Sequence, residues 1–113
     1  MNTLQRSLTS LLEKVRTLES DTSDEAQLEM HGRIDSELME DIHDFVEARE
    51  SMIPHLGMQS YANIMSPFAS GERLLNRAWS ASADGYVDEV RVCVAGARSQ
   101  LEKAKELLGQ ATG

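Results

Sequence analysis

Leu4, Leu8, Leu11, Val15 and Leu18 recur at alternating steps of four and three, with Leu12 widening the stripe. That spacing keeps one apolar seam on a helix and predicts a first helix that stops near Ser20. Ser20-Asp21-Thr22-Ser23-Asp24 then reads as a loop. A second helix is expected to open with Thr22 as cap and Glu25 returning the bond from three residues on. Met30, Ile34, Leu38, Ile42, Phe45 and Met52 carry its apolar stripe. Pro54 disfavours helical geometry at Ile53, so the helix is expected to end there. It would span about 45 Å, against about 25 Å for the first helix. Two expectations follow from that mismatch: Gly32 breaks the second helix into a short and a long arm, or the overhang packs on another subunit.

Pro54, Gly57 and Pro67 punctuate the next region. Met58, Tyr61, Met65 and Phe68 keep helical spacing, which predicts a short helix over 58–65. Ser66 and Pro67 then suit the cap and first position of a new helix. Leu74, Leu75, Ala78, Trp79 and Ser82 form its expected inward stripe, and Asp84-Gly85 its end. Val87, Val90, Val94, Ala97, Leu101, Ala104 and Leu108 make a second seam, predicting a last helix over 86–110. A rival reading applies to 86–95, where Val90, Val92 and Val94 alternate as they would in a strand; no second strand presents itself as its partner. The expected fold is all-α: a four-helix bundle with antiparallel up-down packing and possibly one extra short helix, a single domain over 1–113.

Composition makes that core aliphatic, because the only aromatics are Phe45, Tyr61, Phe68, Trp79 and Tyr86. Cys93 is the sole cysteine, so no intrachain disulfide or thiolate-rich metal site can form. No apolar run approaches the roughly 20 residues that span a bilayer. These features set the expected location as a reducing, bacterial-type cytoplasm.

Charge changes the picture more. The formal net charge is −8, and one segment supplies it. Residues 19–50 carry twelve carboxylates (Glu19, Asp21, Asp24, Glu25, Glu29, Asp35, Glu37, Glu40, Asp41, Asp44, Glu47 and Glu50) against Arg33 and Arg49. The remainder of the chain is slightly basic. Such a balance disfavours direct nucleic-acid or anionic-membrane binding and points to a basic protein surface or a cation.

Glu40-Asp41-Ile42-His43 contains Glu-x-x-His, an element of di-iron helical bundles, with Glu47 one turn on. Such sites need a second motif and two further carboxylates, and this chain has one motif. On a helical wheel with Ile34 at its origin, Met30, Leu38, Met39, Ile42, Phe45 and Val46 fill the apolar arc. Glu40, His43 and Glu47 fall outside it, where metal ligands of a bundle core do not lie. The same wheel puts His31, Asp35 and Arg49 inside the arc. Asp35 and Arg49 lie about 21 Å apart along the axis, so each needs a partner from elsewhere. With Trp79, the largest apolar anchor, these three are candidate interface residues. Cys93 has no evident base beside it and reads as an inert thiol. No phosphate loop, dinucleotide fingerprint, nucleophile elbow or zinc spacing is present.

The functional expectation is a non-catalytic helical bundle, without a cofactor, that acts through protein–protein contacts and self-associates, as a homodimer or larger homo-oligomer. One alternative is a divalent-metal site at Glu40, His43 and Glu47. Another is an acidic chaperone or regulator of a basic partner.

Overall fold

The computed structural model describes residues 2–112, and among them there is no strand. The helices are α1 (Asn2–Ser20), α2 (Asp24–Arg33), α3 (Met39–Ala48), α4 (Met52–Leu56), α5 (Met58–Asp84) and α6 (Val87–Thr112). A π-helical turn, Ile34–Leu38, joins α2 to α3, and a 3-10 turn, Arg49–Ser51, leads into α4. The stretch from α2 to α4 therefore acts as one arm, and the molecule is a bundle of four rods: α1, the arm, α5 and α6.

Side-chain pairs establish the antiparallel packing. Gln5 reaches Thr112 and Arg98 reaches Glu19 at opposite ends of the α1–α6 contact. Ser10 meets Asp41 between α1 and α3. Trp79 meets Asp35, and Phe68 stacks on Phe45 with ring centres 4.2 Å apart, along the arm and α5. Arg77 meets Glu89 across the α5–α6 hairpin.

Both predicted seams are buried except for Val87, which is half-buried: Leu4, Leu8, Leu11, Leu12, Val15 and Leu18 on α1, and Val90, Val94, Ala97, Leu101, Ala104 and Leu108 on α6. Each helix thereby removes an apolar stripe from water, at roughly 25 cal/mol per Å². The rival strand reading of 86–95 is overturned, since α6 begins at Val87. Alternating valines suit a strand only with a paired neighbour, whereas here Val90, Cys93 and Val94 follow the helical period into the core.

Local details depart from expectation. Ser23, not Thr22, caps α2: its Oγ accepts from the Ala26 amide at 3.1 Å. Asp21 explains the choice, because its carboxylate accepts from both the amide and the hydroxyl of Ser23 and holds that residue extended. Gly32 does not break the helix. The irregularity is the π turn that starts two residues later. Met30, Ile34, Leu38 and Ile42 step by four three times, and each such step drifts about 40° on a regular α-helix. The wider π turn absorbs part of that drift and keeps all four in the core.

Pro54 does not end the arm either. The 3-10 turn restarts the helix at Met52, so Pro54 falls in a first turn whose amides need no intrahelical partner. The arm ends at Gly57, whose φ of 86° favours glycine. The length mismatch is resolved within the chain, because α4 turns onto α5.

Pro67 likewise does not start a helix, and Ser66 does not cap one: α5 runs unbroken from Met58 to Asp84. The proline leaves the Asn63 carbonyl without its helical donor, and Asn63 is exposed, where water can replace it. The inward stripe of α5 is Ile64, Pro67, Phe68, Gly71, Leu75, Ala78, Ala81 and Ser82. Leu74 and Trp79 lie at its edges.

Gly71 lies where α5 packs tightly against α6. A Cβ there would sit 3.0 Å from Leu101 Cγ, and Leu101 is fully buried. Gly71→Ala is expected to cost about 1 kcal/mol net, overpacking outweighing the helix propensity gained. At Gly32 a Cβ meets nothing within 4 Å, and Gly32→Ala is expected to stabilise by about 0.5–1 kcal/mol. Chemical denaturation of the two variants checks this pair, and equal signs would contradict it.

Candidate functional site

The arm carries a stripe of carboxylates along its outer side. Glu25, Glu29, Arg33, Glu37, Glu40, Asp44 and Glu47 step by four or three, the spacing of one helix face. The stripe covers about 33 Å. Arg33 is its only base and is bound to Glu37 at 2.7 Å. That contact holds the Glu37 carboxyl below its ordinary pKa and raises the Arg33 guanidinium, so the pair stays ionised. Among the described residues, Glu25, Glu29, Glu40, Asp44, Glu47 and Glu50 form no ion pair; all but the half-buried Asp44 are exposed.

The remaining acids of the segment are absorbed by the fold. Asp41 is 9% exposed and joins α3 to α1, accepting from Ser10 Oγ at 2.7 Å and pairing with Lys14 at 2.9 Å. Glu19 pairs with Arg98, and Asp24 with Arg91. The absorbed carboxylates thus work as cross-helix ties, while the stripe has no such task.

Glu40, His43 and Glu47, the candidate metal ligands, are all exposed on α3. Among the described residues no group of three or more His, Cys, Asp or Glu side chains converges to hold a metal ion.

His31, Asp35 and Trp79, the candidate interface residues, are brought together within the chain. Trp79 Nε1 donates to Asp35 at 3.0 Å, and the His31 ring packs edge-on against Trp79 at 5.8 Å. Trp79 keeps 37% of its surface exposed. Ser82 lies beneath them, and its hydroxyl donates to the Gln27 carbonyl at 2.6 Å. The oxygen accepts from the His31 amide at 3.0 Å and faces His31 Nδ1 at 2.9 Å. With the hydroxyl proton committed to Gln27, Nδ1 is the protonated ring nitrogen. The polarity is the reverse of a nucleophile–base pair, where the serine donates to the imidazole. The cluster is therefore a latch between α2 and α5. Arg49 does not join it: it lies half-buried in the 3-10 turn, about 27 Å along the arm from His31 by helical rise.

Cys93 is buried, and its Sγ donates to Glu89 at 3.6 Å. Burial first, then the Glu89 carboxylate, raise its pKa above the ordinary thiol value. At neutral pH it stays a thiol. Its reaction with an aromatic disulfide reagent in the folded protein is expected to be at least about tenfold slower than that of free cysteine. Matching rates would show the site opening readily.

Sequence patterning located the stripe, but it placed Asp35 inward, where the structure leaves it exposed, and His31 inward, where it is half-buried; it also missed Asp41, Gln27 and the latch role of Ser82. A signal existed for Ser82, a polar residue in the predicted inward stripe of α5. No helix of the described residues is long and apolar enough to cross a membrane. No protein-family model, curated protein or solved structure matches this chain.

Proposed function

We propose that this protein is a non-catalytic helical bundle that binds a basic protein surface along the carboxylate stripe of its arm, as a carrier or regulator of that partner. The supporting observation is the set of five unpaired carboxylates, Glu25, Glu29, Glu40, Asp44 and Glu47, aligned on one face. Like charges at helical steps of three or four cost a few tenths of a kcal/mol per pair. Glu25 with Glu29, Glu40 with Asp44, and Asp44 with Glu47 are such pairs. They give the fold nothing in return, whereas a basic partner would convert that repulsion into attraction and speed encounter. Self-association belongs to the same reading, but on another face. A two-fold contact through the stripe would set carboxylates against carboxylates.

The test pairs light scattering with titration of a lysine-rich peptide at rising salt. Binding at 20 mM NaCl, weakened about tenfold or more by 300 mM, is expected. Glu40→Gln with Glu47→Gln should weaken it at low salt without lowering stability. Absence of binding at low salt would remove the reading.

A further inference from the structure

Resting on that reading, we propose that a cleft between the α1–α2 loop and α6 receives a lysine side chain of the basic partner. Glu19, Thr22, Gln27, Arg91, Val94 and Ala95 line a space of about 220 Å³. Small-molecule sites generally exceed about 300 Å³, so this one suits a single side chain.

Gln27 identifies the chemistry. The residue is 2% exposed, and its Nε2 donates to the carbonyls of Asp21 and Ser23, both at 2.9 Å. Those two bonds fix the orientation of the amide. Oε1 accepts from no donor among the described residues, yet no fully buried side-chain oxygen or nitrogen lacks a partner. The residual surface of Gln27 therefore includes Oε1, and the cleft is the open space that Gln27 lines. An unpartnered acceptor at such a position calls for a donor.

The surrounding charges favour a cationic donor. Arg91 is already committed to Asp24, Asp88 and the Thr22 carbonyl, and Arg98 to Glu19 and Glu102. Arg16 also pairs with Glu102, and with Asp21 in the loop five carboxylates stand against these three guanidiniums. An ammonium has three donors and no acceptor, matching Gln27 Oε1, the Thr22 hydroxyl and a free lone pair of Glu19. Val94 and Ala95 offer an apolar wall for the methylene stem. The cleft sits at the end of the arm where the carboxylate stripe begins.

The experiment titrates the isotope-labelled full chain with N-acetyl-lysine-methylamide, and with its norleucine counterpart as the uncharged control. The lysine compound is expected to shift the Gln27 side-chain amide and the Ala95 methyl, and the control is not. Ala95→Met, which fills the cleft without touching a hydrogen bond, should weaken the lysine compound by about tenfold or more. A lysine-rich peptide separates the two ideas. If it binds only on α3, and Ala95→Met leaves its affinity unchanged, the cleft proposal falls and the stripe reading stands. If it binds nowhere at low salt, both fall. Should Ala95→Met not fold, the lysine–norleucine comparison on the unaltered chain decides alone: equal shifts, or none, overturn the proposal and leave the cleft to water.

Discussion

Phe68→Ala is expected to lower the unfolding free energy by about 3–5 kcal/mol, a large share of the roughly 5–15 kcal/mol that stabilises an ordinary domain. Phe68 is 1% exposed and Phe45 fully buried, and their rings stack 24° from parallel at 4.2 Å. They are the only phenylalanines in the chain and join α3 to the middle of α5. Truncation removes apolar area and also leaves a cavity that helices packed on all sides cannot collapse into. The denaturant midpoint should fall with the slope unchanged. Phe68→Leu, which refills most of the volume, should recover more than half of the loss. A loss under about 1 kcal/mol for Phe68→Ala would mean that the arm and α5 do not pack through these rings.

Ser82→Ala should cost about 1–3 kcal/mol although it deletes one oxygen. That oxygen donates to the Gln27 carbonyl and accepts from the His31 amide at 3.0 Å, in a site only 3% exposed. Removing it leaves the His31 imidazole facing a methyl group where it had a partner at 2.9 Å. Trp79→Phe isolates the outer part of the latch, deleting the bond to Asp35 while keeping an aromatic ring against His31. Its expected cost is below about 1 kcal/mol, because that bond is solvent-accessible. Nitrogen chemical shifts of the His31 ring provide a second readout. Nδ1 should carry the proton in the parent, and this preference should weaken in Ser82→Ala. Equal stability of Ser82→Ala and the parent would falsify the latch.

The largest gap between pattern and structure lies in the arm. Thr22 and Ser23 are both competent caps by composition, and Asp21 decides between them through two hydrogen bonds to Ser23. Pro54 reads locally as a helix end, and Pro67, in α5, as a helix start. Neither role is realised, because Pro54 falls in a restarted first turn and the carbonyl freed by Pro67 lies on an exposed residue, so α5 runs through it. Conversely, the repeated four-residue step from Met30 to Ile42 held legible evidence of a π turn. The candidate site was half visible in the same way. Glu40 and Glu47 were placed outside the core by the wheel, as they are. Asp41, on the core side, needed Ser10 and Lys14 of α1 to explain it.

The amino-acid sequence by itself determined the helical class, the buried faces of α1 and α6, and the concentration of negative charge in one arm. Those properties follow from the 3.6-residue period and from composition, which need no knowledge of neighbours. Only the tertiary structure decided which polar groups became ties and which remained free. Ser82 lies fifty-one residues from His31, and Asp41 thirty-one from Ser10. A hydrogen bond depends on atoms meeting within about 3 Å. Periodicity orients a side chain toward a neighbouring helix, but the approach of that helix determines which atom it finds there.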